Sequence, residues 1–145
     1  MATTTKTKKA NSGITAEEKA AMRELVKERR RNASAAEEAA EVLEKINAMP
    51  PSDRAMAKKV HAIIKSAAPE LAPKTWYGMP AYYKDGKVIC YFQDAAKFKS
   101  RYATLGFSDA ATLDDGAVWP IAYAVSELNA ADEARISALV KKAAR

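Results

Sequence analysis

One cysteine, Cys90, and one histidine, His61, occur in 145 residues. A single thiol cannot close an internal disulfide, and one histidine beside one cysteine cannot hold a structural zinc ion, so a reducing, cytoplasmic setting is expected. No stretch approaches the roughly 18 consecutive apolar residues that span a bilayer. Residues 1–13 carry lysines without an apolar run behind them, so neither a secretory leader nor a membrane anchor is expected. Glycine is also scarce, at five residues. None of the five sits in a phosphate-cradling loop, a dinucleotide fingerprint or a nucleophile elbow; Gly78 and Gly86 are expected in turns. No motif therefore assigns a catalytic residue or requires a cofactor.

What the chain does have is ordinary globular composition, 48% hydrophobic and 29% charged. A chain of this length can bury about two thirds of its surface around one core. The net charge of +6 is uneven: Lys6, Lys8, Lys9, Lys27, Arg29, Arg30 and Arg31 all lie in the first 31 residues. Such asymmetry marks either a solvated tail or a surface for nucleic acid or another anion.

Residues 1–13 lack periodicity and are expected to form a disordered basic arm. Thr15 with Glu18, and Ser34 with Glu37, have the spacing of capping boxes, which predicts helices at 15–30 and 34–49. The first has only a thin apolar stripe of Met22, Leu25 and Val26, and is expected to be a peripheral basic extension, 14–33. In the second, Ala39, Leu43 and Ile46 are expected to be buried. Pro50 and Pro51 end it, and Ser52 is expected to cap a third helix in which Met56, Val60, Ile63, Ile64 and Ala67 share one face; Ile63→Asp is expected to unfold the domain.

From Pro69 the periodicity changes to two. Trp76 and Tyr77 lead to a turn at Gly78-Met79-Pro80, and residues 81–84 and 87–92 flank Asp85-Gly86, a two-residue hairpin signal. Residues 101–107 and 120–125 also alternate, and Asn129 is expected to cap a last helix built on Ile136, Leu139, Val140 and Ala143. The expected fold is α+β: an antiparallel sheet of four to five strands, covered on one face by N-terminal and C-terminal helices, within a domain at 34–145.

Three groups of residues are candidates for function. Glu37, Glu41 and Glu44 form an acidic stripe on the second helix, and Asp114 with Asp115 forms an acidic pair in a loop; carboxylates of this kind suit hard cations such as ferrous iron, although acids near a helix start are also stabilising in themselves. Trp76, Gly78 and Tyr82, with Tyr83 and Tyr91 adjoining, suit a concave ligand pocket or a packed sheet core. Arg29, Arg30 and Arg31, with Lys97, Lys99 and Arg101 beside Phe98 and Tyr102, suit nucleic acid or another anion, or simply a charged strand side in water. His61 is expected at the core boundary and Cys90 inside a strand as a small buried hydrophobe.

The segment Ala68-Pro69-Glu70, the block Trp76-Tyr77-Gly78-Met79-Pro80-Ala81-Tyr82 and the run Asp85-Gly86-Lys87-Val88 followed by Tyr91-Phe92 resemble the YdhG-like family, over residues 41–144. That family is grouped with YjbR and the bacterial frataxin CyaY. The resemblance implies a frataxin-like sandwich and an iron-chaperone role, with weakly held iron and iron itself or an iron-accepting protein as partner. Many relatives have Phe-Lys-x-His after the second hairpin strand. This chain has Phe98-Lys99-Ser100-Arg101, so a cation stands where those relatives place a histidine.

Overall fold

A computed structural model describes residues 13–145. The expected basic arm, apart from Gly13, lies outside the described residues. The element order is α1 (Ala16–Arg30), α2 (Ala35–Asn47), α3 (Pro51–Ala67), β1 (Ala72–Trp76), β2 (Met79–Lys84), β3 (Lys87–Gln93), β4 (Ala103–Phe107), β5 (Ala122–Val125) and α4 (Ala130–Ala143). The five strands form one antiparallel meander in sequence order, as the α+β expectation requires.

Local chemistry starts most of the helices. The Thr15 and Ser34 hydroxyls accept from the backbone N–H of Glu18 and Glu37, at 3.1 and 3.2 Å. Asn129 and Asp132 form a full reciprocal capping box at α4. The third helix differs from expectation: it starts at Pro51 and no side chain caps it, because proline's fixed φ suits the first helical position and its missing N–H leaves one fewer donor to satisfy.

The β1–β2 turn also differs. Tyr77 and Gly78 alone close it, at φ 52° and 76°, so Trp76 pairs directly with Met79 and Pro80 lies inside β2. Two positive-φ residues match the twist of a hairpin, and Asp85-Gly86 closes β2–β3 in the same way, at φ 51° and 77°.

The pairings divide the sheet into two faces. Tyr82 opposite Cys90, Phe92 opposite Leu105 and Ala103 opposite Val125 lie on the inner face. There they pack with Val42 and Ile46 of α2, Val60 and Ile64 of α3, and Ile136 and Val140 of α4. Leu43, expected inside, is 48% exposed, and Val42 takes its place. Ile63 is only partly buried; Val60 and Ile64 are the fully enclosed α3 positions. In α2 the buried stripe of Glu38, Val42 and Ile46 is turned to one side of the expected one, whereas in α3 Val60 and Ile64 are buried as expected and Met56, Ile63 and Ala67 pack partly against the core.

Trp76 opposite Met79, Ala81 opposite Tyr91, and Tyr91 opposite Gly106 make the outer face. The expectation of helices on one face holds for α2, α3 and α4. By contrast α1 lies across the outer face, its Ala21 and Met22 sharing a cleft with Trp76, Met79 and Tyr91.

Candidate ligand cleft

The hairpin turn at Tyr77-Gly78 is the pivot of the outer face. A tyrosine at positive φ costs about 1 kcal/mol or more. Glu28 of α1 offsets that strain: its carboxylate, in a residue only 6% exposed, accepts from the N–H of Tyr77 at 3.0 Å and of Gly78 at 2.9 Å. The turn is fixed and α1 is tied to the sheet by the same two bonds. Further polar ties hold the rest of α1. Lys45 reaches Glu24 at 3.3 Å, Lys99 reaches Glu17 at 2.9 Å, and Arg31 pairs with Glu41.

Because the turn is held, the rings around it converge. Trp76 meets Tyr77 edge-on at 4.9 Å between centroids and Tyr91 at 5.2 Å. Tyr91 lies over Gly106, where any Cβ would fall inside its ring. Met79, Phe98, Ala21 and Met22 complete the walls of a cleft of about 330 Å³, with Glu18 and Gln93 its polar margin. That volume is at the small end of ligand pockets, roughly 300–1,000 Å³.

A second, polar cavity of about 270 Å³ lies across the turn, lined by Glu24, Lys45, Gly78, Asp94 and Lys97 among others. The loop carrying Lys97 and Phe98 is clamped by Asp53, whose carboxylate accepts from the N–H of Ala95 and Ala96 at 3.3 and 3.2 Å. Burial lowers the Lys97 ammonium below the ordinary lysine value; Asp94 works against that shift and Lys45 adds to it. Burial raises the Asp94 carboxyl, with Asp53 adding to the rise. At Glu24 burial acts upward, but the Lys45, Lys27 and Lys97 charges prevail and hold it below the usual carboxylate range.

The structure brings together Trp76, Gly78 and Lys97, which belonged to two separate candidate groups. Tyr82 is not with them. It lies on the inner face, 1% exposed, its hydroxyl 2.8 Å from His61 Nδ1. Among the acidic residues, Glu37 accepts from the Ser34 hydroxyl at 3.1 Å and Glu41 is paired with Arg31, while Glu44 is exposed. Asp114 and Asp115 sit on the β4–β5 connection, whereas α2, which carries the stripe, packs on β1 and β2 at the other side of the sheet. Among the described residues no three His, Cys, Asp or Glu side chains converge as a metal site. The basic residues also spread out: Lys99 is bound near the start of α1, at Glu17, and Arg29, Arg30 and Arg31 lie at its end, about 18 Å further along the helix. Arg101 lies 5.2 Å from the Tyr102 ring centroid.

Glu28 and Asp53, the two buried carboxylates that shape the cleft, carried no signal in the sequence; each reads there as a solvated helix acid. Comparison of the chain with protein-family models, curated proteins and solved structures finds no match.

Proposed function

We propose that this domain binds a small ligand with a flat apolar ring, taken between α1 and the outer face of the sheet. The observation that carries this is the convergence of Trp76, Tyr77 and Tyr91 around a cleft that keeps about 330 Å³ free. Aromatic walls with a few polar groups at the margin suit a planar guest, which stacks or meets the rings edge-on. Iron held by Glu37, Glu41 and Glu44 draws less support, since Ser34 and Arg31 already engage Glu37 and Glu41. The basic groups are likewise divided between the two ends of α1. Cys90, a buried free thiol pushed up to about 12 by burial, suits a reducing compartment such as the cytoplasm and no thiolate chemistry.

Trp76 reports on the cleft once the second tryptophan is removed by Trp119→Phe. Titration of that variant with 2-naphthalenemethanol is expected to give a saturable change in fluorescence. Tyr91→Ala, which removes one wall, should weaken binding by roughly tenfold, the value of an aromatic pair. An unchanged Trp76 signal at millimolar probe contradicts the proposal.

A further inference from the structure

We infer that the free edge of β5 binds an extended, lysine- or arginine-bearing segment of a partner protein, which adds to the sheet as a further strand. The inference stands apart from the aromatic cleft. The sheet runs β1-β2-β3-β4-β5, so β1 and β5 are its edges. The β1 edge is guarded, because it carries Pro73 and Lys74 and lies against α2. A proline cannot donate to an added strand, and an edge charge resists pairing. By contrast β5, Ala122-Tyr123-Ala124-Val125, has no proline, no charge and no bulge.

Backbone groups are left over along this edge. The Phe107 N–H donates to the Ile121 carbonyl at 2.7 Å, which makes that pair a hydrogen-bonded one. Antiparallel pairs alternate, so Ala122 and Ala124, opposite Gly106 and Thr104, turn their N–H and C=O groups away from β4. Both alanines are exposed. Each end of the edge opens on a recess. One, of about 480 Å³, is lined by Val118, Trp119 and Ile121, and Val118 is 89% exposed. The other, of about 330 Å³, lies between β5 and α4 and is lined by Leu128, Ile136 and Leu139. An added strand presents alternate side chains to one face of the sheet, so its backbone can pair with the edge while apolar side chains enter these recesses.

Charge selects the occupant. Residues 103–140 hold six acids, Asp109, Asp114, Asp115, Glu127, Asp132 and Glu133, against one base, Arg135, although the whole chain carries +6. Asp109 and Asp114 border the first recess, Glu127 and Asp132 the second, and among the described residues no lysine lines either. Arg135 is engaged with the Tyr123 ring, 5.4 Å from its centroid. Such a border attracts a basic segment and repels an acidic one. It also opposes a second copy, since antiparallel pairing of two β5 edges sets the acids that follow one strand beside those that precede the other.

The test titrates the full chain with a fluorescein-labelled peptide of alternating lysine and valine, and with its counterpart in which glutamate replaces lysine. The basic peptide is expected to bind saturably and about tenfold more tightly than the acidic one, with added NaCl shrinking the difference. Binding should slow amide exchange at Ala122 and Ala124 and leave the β1 amides as they were. Ala124→Pro removes an outward N–H that β4 does not use, so the domain should keep its thermal melt and lose at least about tenfold in affinity for the basic peptide. Joint replacement by Asp109→Asn, Asp114→Asn and Glu127→Gln should bring the two peptides together. Binding of neither peptide at about 1 mM, equal affinities in the unaltered protein, protection of β1 in place of β5, or undiminished binding by Ala124→Pro overturns the inference. Ala122 and Ala124 amides already protected in the free protein overturn it too, assigning the edge to a second copy where the protein sediments as a dimer and to another segment of this chain where it is a monomer.

Discussion

The two faces of the sheet are held by different physics. On the inner face Tyr82, Cys90, Phe92, Leu105 and Phe107 are closed beneath α2, α3 and α4, and burial of apolar surface supplies the stability. On the outer face α1 buries only Ala21 and Glu28, and what fastens it is the turn-binding carboxylate of Glu28 together with the pairs at Glu17, Glu24 and Arg31. Apolar packing is non-directional and spread over the whole core; a strap tied at a few polar points can loosen while the domain stays folded. A cleft with free volume is found on the side that the strap covers.

The largest expected effect sharpens this contrast from the inner side. Ile64, 0% exposed on α3, substituted by Asp places an unpaired charge in the core, and a loss of more than about 4 kcal/mol, seen as absent cooperative unfolding in urea, is expected. Next comes Glu28→Ala, which leaves the N–H groups of Tyr77 and Gly78 without their acceptor and should cost about 2–4 kcal/mol. Its distinguishing result is early hydrogen exchange in α1 with α3 still protected; simultaneous exchange of both would break the comparison. Gly106→Ala pushes Tyr91 out of the cleft wall, with an expected cost of about 1–3 kcal/mol in denaturant unfolding and weaker naphthalene binding.

The smallest effect is that of pH. Burial, with Lys65 adding, lowers the His61 imidazole below the ordinary histidine value, so the unfolded chain binds this proton more readily than the folded one. The stabilising contribution is complete above the unfolded value near 6.5 and declines as pH falls through the lower folded value. Thermal melts between pH 7.5 and 5.5 should show a modest drop that is absent in His61→Gln. An equal drop in the variant would assign it to other groups.

Much of the frame was legible because its signals are local. Thr15, Ser34 and Asn129 act on N–H groups three residues away, and Asp85-Gly86 closes its own hairpin. The cleft was legible only in part. Trp76 and Gly78 stood out by type, but Tyr82 was grouped with Trp76 as part of one aromatic block around a turn at Gly78-Met79-Pro80, whereas a two-residue turn pairs Trp76 with Met79 and sends Tyr82 to the opposite face. The turn was expected, but its place at Tyr77-Gly78 was hidden because tyrosine seldom takes positive φ, and the acceptor that steadies it, Glu28, is 49 and 50 residues away from the two N–H groups. Lys97 showed as one basic residue among several. Its place beside the aromatic wall depends on Asp53 holding the loop, a contact 42 and 43 residues distant.

The most direct test of the outer-face cleft uses methyl-labelled methionine. Met22 and Met79 line the cleft, whereas Met56 packs against the inner core from α3. On addition of 2-naphthalenemethanol, ring-current shifts and direct Overhauser contacts are expected at the Met22 and Met79 methyl groups, with Met56 unmoved. Contacts at Met56, or unshifted Met22 and Met79 methyls at saturating probe, would contradict the account.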